Sequence, residues 1–119
     1  MPILCIGCLG RLIMNQMTEI MKALSDPTRL AVLEAVADGS LCVSSLAEKV
    51  KVSQSAVSQH LRILRQAGLV TAEKQGYFVH YRVDEKTIAK FAEKFGGWAE
   101  RLAARAKKPC PHREKCARL

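Results

Sequence analysis

Ser53-Gln54-Ser55-Ala56-Val57-Ser58-Gln59-His60-Leu61-Arg62-Ile63-Leu64-Arg65-Gln66-Ala67-Gly68 decides the fold. Val57, Leu61 and Leu64 recur at i, i+4 and i+7, with Ala56, His60 and Ala67 beside them. That spacing predicts one short helix with a buried side. Ser53 suits the N-cap, because its hydroxyl accepts from a free N–H of the first turn, and Gly68 suits the residue after the C-cap. Ser55, Ser58, Gln59, Arg62 and Arg65 fall on the opposite side. That outer face carries hydroxyls, an amide and guanidinium groups, and no carboxylate. A solvated helix face normally mixes both signs, whereas a face that lies against DNA excludes acid.

The flanking segments support that reading. Upstream, Leu41-Cys42-Val43-Ser44-Ser45-Leu46-Ala47-Glu48-Lys49-Val50 predicts a short helix. Ser45 and Glu48 have capping-box spacing, and Cys42 or Ser44 is the alternative cap. Lys51-Val52-Ser53 then makes a tight turn, which completes a helix-turn-helix. Downstream the period changes to two. Residues 69–74 and 77–83 read as strands flanking Gln75-Gly76, a β-hairpin placed as a wing. Lys74, Gln75 and Arg82 on it are candidates for phosphate or minor-groove contact.

Further out, Ile13, Met17, Ile20, Met21 and Leu24 give a first helix from about Arg11, after an irregular arm over residues 1–10. Asp26-Pro27 opens a second helix to about Ala37, with Leu30, Leu33 and Val36 apolar. Asp84 caps a long last helix to about Lys108. Its Ile88, Phe91, Phe95, Trp98 and Leu102 form a heptad seam, interrupted by Gly96-Gly97. That seam and the first helix read as a dimer interface. The expected fold is mainly α with a small β-hairpin: a winged helix-turn-helix in the order helix, helix, helix, helix, strand, strand, helix, dimerising through the first and last helices. The DNA-binding and dimerisation domain covers residues 11–108, followed by a Cys/His-containing basic tail over 109–119.

Composition agrees. The 119 residues suffice for one domain, and a net charge of +8 favours a polyanionic partner. Residues 100–119 alone carry seven Lys/Arg against two Glu. No apolar run approaches the roughly 18–20 residues of a membrane span. Residues 1–14 lack a basic leader and a cleavage site, so a cytoplasmic protein is expected. Five cysteines, an odd number, point in a reducing compartment to thiol or metal chemistry instead of a disulfide framework. No Ser/His/Asp or Cys/His set has a catalytic context, so no enzyme and no small organic substrate are expected.

Together, Ala23-Leu24-Ser25-Asp26-Pro27-Thr28-Arg29-Leu30, Leu41 to Leu46, Ser53 to Val70 and Gly76 to Val83 resemble the ArsR/SmtB family of winged-helix repressors. The likeness covers about Met17 to Ile88. It implies a homodimer on near-palindromic operator DNA, released by a ligand, with the two recognition helices in successive major grooves roughly 34 Å apart. In that setting Ser55, Ser58 and Gln59 are best placed for base edges, with Gln59 able to bond adenine twice, and Ser53 and Gln54 are further candidate DNA contacts. His60 sits on the half-buried flank, and Arg62 and Arg65 meet phosphates.

The resemblance also frames the sensor. Several family members bind soft metals or arsenite through a Cys-Val-Cys segment at the third helix. Here Cys42 matches the first cysteine and Ser44 stands at the second. Cys5 and Cys8 in the arm are placed to supply the missing sulfurs. Three thiolates suit As(III), Sb(III), Cd(II) or Pb(II), acting as an inducer and not as a permanent cofactor. The family's last-helix site is absent, since Lys86 and Gly97 stand where histidines are expected. Cys110, His112 and Cys116 are the rival set, suited to Zn(II) or to a Cys–Cys redox pair. Thiol oxidation or persulfide formation is the alternative signal.

Overall fold

Three of the helices start on a residue whose side chain accepts from an N–H of the first turn. The computed structural model describes residues 6–39 and 41–112, with side chains in the first helix from Met14 onward. Helix α1 spans Ile6–Ala23, α2 Pro27–Ala37, α3 Val43–Val50 and α4 Gln54–Gln66. Strands β1 (Val70–Gln75) and β2 (Phe78–Val83) follow, and α5 spans Glu85–Ala106. Mainly α with a small hairpin, this is the expected winged helix-turn-helix.

Asp26 accepts from the Arg29 N–H at 3.0 Å, with Pro27 in the first turn of α2. Its carboxyl is held below the usual 3.8, first by that bond and more weakly by the nearby His60 and Arg29 charges. The Arg29 guanidinium reaches back to the Lys22 and Ala23 carbonyls at 3.3 and 3.2 Å, which caps the C-terminal end of α1 with a cation. Ser53 Oγ accepts from the Ala56 N–H at 3.2 Å, and Asp84 from the Thr87 N–H at 3.2 Å.

The C-terminal end of α4 is fixed as firmly as its start. Gly68 turns left-handed at φ +80°. Its N–H reaches the Arg65 carbonyl and the Leu69 N–H reaches that of Leu64, both at 3.0 Å. This is a Schellman motif, with Leu64 and Leu69 both buried at its apolar contact. A non-glycine residue there would be strained.

Antiparallel β1 and β2 pair from Val70↔Val83 to Gln75↔Phe78. The turn is therefore Gly76-Tyr77, one residue later than expected. Gly76 alone has a positive φ, +64°, the arrangement in which glycine takes the first central position of a two-residue hairpin loop. A single bridge pairs Leu41 with Tyr81, whose N–H donates to the Leu41 carbonyl at 3.1 Å. The chain entering α3 is thus stitched to the wing.

The core lies where α2, α3, α4 and β1 meet. Val32, Val36, Leu46, Val57, Leu61 and Leu64 are all buried, with Ile20 and Ala23 joining from α1. Three details depart from expectation. Helix α1 begins at Ile6, not near Arg11, because Ile6, Leu9, Ile13 and Met17 continue the helical spacing through Gly7 and Gly10. Helix α2 buries Val32, Ala35 and Val36, while Leu30 is left 41% exposed. Leu30 to Val36 is apolar nearly all round, so its period alone does not select a face. Gly96-Gly97 does not interrupt α5.

Leu64→Ala, at a fully buried site, is expected to lower stability by about 3 kcal/mol. Chemical denaturation followed by circular dichroism measures this, and a change under 1 kcal/mol would show that the site collapses around the missing atoms.

Candidate nucleic-acid interface and sensor cysteine

Burial of Val57, Leu61 and Leu64 turns the polar side of α4 outward. Ser58, Gln59, Arg62 and Arg65 line one open cleft of about 610 Å³, joined by Gln66 and, from β2, Tyr81. No carboxylate lines it. The sequence missed Gln66 and Tyr81. Gln66 follows from helical spacing, as it lies four residues after Arg62, but Tyr81 enters only through the tertiary fold. Ser53, Gln54 and Ser55 are exposed at the N-terminal end of α4 but do not line the cleft. Ser53 Oγ is engaged in the cap and lies 3.2 Å from Ser55 Oγ.

His60 does not line the cleft either. It is half-buried on the flank nearest Asp26, and its Nδ1 is buried without a hydrogen-bond partner. That is a packed placement, off the cleft.

Pairing separates the two wing cations. Opposed residues share a face, and faces alternate along each strand. Lys74, opposite Val79, therefore lies on the same face as Tyr81. Arg82, opposite Thr71, lies on the other face, in a separate hollow lined by Val36, Ala37, Gly39, Val83 and Glu85. Lys74, and not Arg82, shares the face that reaches the α4 cleft.

Cys42 is the N-cap residue of α3 and is half-buried. The Ser44 and Ser45 hydroxyl oxygens lie 3.2 and 3.4 Å from its Sγ. Donated hydrogen bonds from Ser44, then Ser45, then the Ser45 and Ser44 backbone N–H groups pull the thiol down from 9.0 to about 7. Hydrogen bonds to the charged form favour it, so much of Cys42 is thiolate at neutral pH. Ser44, at the place of the family's second cysteine, supplies a donor where that residue supplies a ligand.

The other sulfurs are not gathered around Cys42 among the described residues. Cys5 and Cys116 lie outside those residues, and Cys8 belongs to the part of α1 described without side chains. Cys110 Sγ accepts from the His112 N–H at 3.4 Å just beyond α5. Among the described residues, no three His, Cys, Asp or Glu side chains converge as a metal site. Nor is any helix among them long and apolar enough to cross a membrane.

A capped polar helix in a helix-turn-helix, an acid-free cleft and a wing are the parts of a DNA-binding regulator. Comparison with known proteins gives the family. Residues 26–72 match the bacterial regulatory protein, arsR family. The ArsR-like transcriptional regulator from Rhodococcus sp. RHA1 has a similar structure: TM-score 0.67 and 33% identity, covering 77% of this chain and 91% of that one. A second similar structure is the homodimeric winged helix-turn-helix DNA-binding domain of Mb0332 from Mycobacterium bovis. There the TM-score is 0.64 and the identity 26%, covering 84% and 94%. The arsenical resistance operon repressor of Escherichia coli is 41% identical over 66 residues, 55% of this chain and 56% of that protein. The chain thus spans little more than half the length of that relative. The chain belongs to the ArsR family of transcriptional repressors.

Alkylation of reduced protein by iodoacetamide, followed by mass spectrometry at Cys42, is expected to rise with pH through a midpoint of about 7. Losing both hydroxyl donors, in Ser44→Ala/Ser45→Ala, is expected to move the midpoint upward. An unmoved midpoint would mean that the hydroxyls do not hold the thiolate.

Proposed function

We propose that the chain is a homodimeric, cytoplasmic repressor that binds double-stranded operator DNA through α4. A thiophilic metal or metalloid bound by cysteines that include Cys42 releases it. The observation that carries the reading is Cys42 itself: a half-buried thiol that the Ser44 and Ser45 hydroxyls, 3.2 and 3.4 Å from its Sγ, draw down to about 7, at the N-cap of the helix packed against α4. Soft thiolate donors select soft ions such as As(III), Sb(III), Cd(II) or Pb(II). The Escherichia coli relative is named for arsenical resistance, which supports the same class of inducer here. Cys5 and Cys8 are the proposed further ligands, with Cys110, His112 and Cys116 as the alternative set. The ion is a signal and not a permanent part of the protein.

Dimerisation is supported by α5, which packs on the protomer's core through Ile88 and Phe91 but leaves none of its residues fully buried there. Phe91, Phe95 and Trp98 stack in sequence at 5.5 and 5.7 Å, and Phe95, Leu102 and Met14 of α1 are exposed. The homodimeric Mycobacterium bovis domain offers a precedent. Two dimer states, one matching the half-site spacing and one not, are the means of release. Neither a membrane nor a small organic substrate has a role. A second reading, a repressor switched by thiol oxidation or persulfide formation, draws on the same ionised Cys42, since the thiolate is also the nucleophile.

On DNA, Gln59→Ala is expected to relax sequence preference. Arg65→Ala is expected to weaken binding to all sequences and to lessen the salt slope by about 1. Equal loss on every sequence for both variants would contradict that division of labour. For the signal, reduced protein is titrated with Cd(II) or arsenite and followed by ultraviolet thiolate–metal absorption. The band and DNA release should both disappear in Cys42→Ser. Retention of both would exclude Cys42, and release by peroxide or polysulfide alone would establish the second reading.

A further inference from the structure

A second cavity opens where α1, the C-terminal end of α4 and the first turns of α5 meet. It holds about 400 Å³, within the roughly 300–1,000 Å³ of small-molecule sites. Its floor is apolar: Met17 and Ile20 are buried, and Ala67 and Phe91 are half-buried. Its rim is polar and exposed, formed by Lys90 and Lys94 from α5 with Gln16 and Glu19 from α1. Met14, Phe95 and Leu102, the exposed apolar residues proposed for the dimer, do not line it.

The rim charges indicate what the cavity takes. Lys90 and Lys94 are one turn apart on the same helix face, where like charges repel. The ion pairs among the described residues, Lys22–Glu19 and Lys49–Asp38, include neither of them. Glu19 is the one carboxylate lining the cavity, and it already meets Lys22 at 3.4 Å. Two free cations beside one engaged carboxylate leave the rim with an excess of positive charge. An apolar floor under such a rim fits a molecule with an apolar body and a single negative charge. A doubly charged phosphate ester fits less well, because Glu19 opposes the second charge.

We propose that this cavity binds a small apolar carboxylic acid and that the bound acid weakens DNA binding. The body of the acid rests on Met17, Ile20 and Phe91, and its carboxylate lies between Lys90 and Lys94. Gln66 lines both this cavity and the α4 cleft. Ala67 and Gly68, also in its wall, are the C-cap and the left-handed glycine that end α4. Occupancy therefore sets a negative charge and a packed body against the end of the helix that faces DNA. That charge opposes a polyanion in the neighbouring cleft. The acid is an effector released unchanged, not a substrate, and it acts independently of any ion on Cys42. The coupling rests on the reading of α4 as the DNA-binding helix, whereas the binding site does not.

The test uses the full reduced chain and three probes, 2-naphthoate, benzoate and octanoate. Amide signals of Ala67, Gly68 and Thr87 are followed by two-dimensional NMR during titration. They are expected to shift with 2-naphthoate, and the uncharged 2-naphthalenemethanol should bind about tenfold more weakly. Lys90→Gln/Lys94→Gln should lower affinity for the acid by about the same factor, and Glu19→Gln should raise it. These side chains are exposed, so the variants should keep the native thermal midpoint. Fluorescence anisotropy then uses a duplex that the native protein selects from a random-sequence pool. Saturating 2-naphthoate should weaken native binding about tenfold and, at the same concentration, have little effect on the lysine variant. Unmoved amide signals with all three acids, or equal binding of the alcohol, would overturn the site. Unchanged DNA affinity at saturation would overturn the coupling. A native chain that selects no duplex would overturn the coupling and the repressor reading together, while the NMR titration still decides the site.

Discussion

The rest of the structure depends on one packed contact: Val57, Leu61 and Leu64 of α4 against the core built by α2, α3 and β1. Each of the three is at most 1% exposed. Burying one such side chain is favourable by about 1.5–3 kcal/mol, so the contact as a whole dominates the placement of this short helix. Isolated helices of 13 residues are marginal in water, and α4 persists because its apolar stripe is occupied. Occupying that stripe also fixes rotation about the helix axis. Ser58, Gln59, Arg62 and Arg65 must then face solvent together. The two ends are set separately, by the Ser53 cap and the Gly68 Schellman turn, so length, rotation and exit direction are all constrained.

How much of this was legible in the sequence follows from the range of the forces involved. Caps and turns act over a few residues, and Asp26, Ser53, Gly68 and Asp84 all perform the roles their positions indicated. Amphipathic spacing is equally local, so the sides of α4 and the order of elements were readable. The apolar face of α2 was not: with apolar residues nearly all round, only the packing of α3 and α4 selects Val32 over Leu30. The hairpin was readable but its turn was displaced by one residue, because Gln75-Gly76 and Gly76-Tyr77 both place a glycine in the loop. Backbone geometry decides between them.

The site divides along the same line. Arg62, Arg65, Ser58 and Gln59 share a helix face and were found by spacing. Lys74 and Arg82 were grouped by charge, and strand alternation separates them onto opposite faces. Tyr81 reaches the α4 cleft from another element, so no local pattern in the sequence announces it. Cys42 was visible as a cysteine near a helix start. Its ionisation was not, because that depends on the Ser44 and Ser45 hydroxyls, which sequence reading treated as rival caps or as a missing ligand.

The position of Cys42 gives a signal there two short routes to the DNA face. One runs through α3, whose Leu46 and Ala47 pack in the same core as Leu61 and Leu64. The other runs through one peptide bond to Leu41, whose carbonyl accepts from the Tyr81 N–H at 3.1 Å, and Tyr81 lines the cleft. Neither route is separate from the core, because the Leu41 and Tyr81 side chains also pack against it. A packed core resists small displacements because its side chains interdigitate at crystal-like density. Under the proposed reading, a ligand on the Cys42 sulfur therefore acts on α3, the wing and α4 as one packed unit.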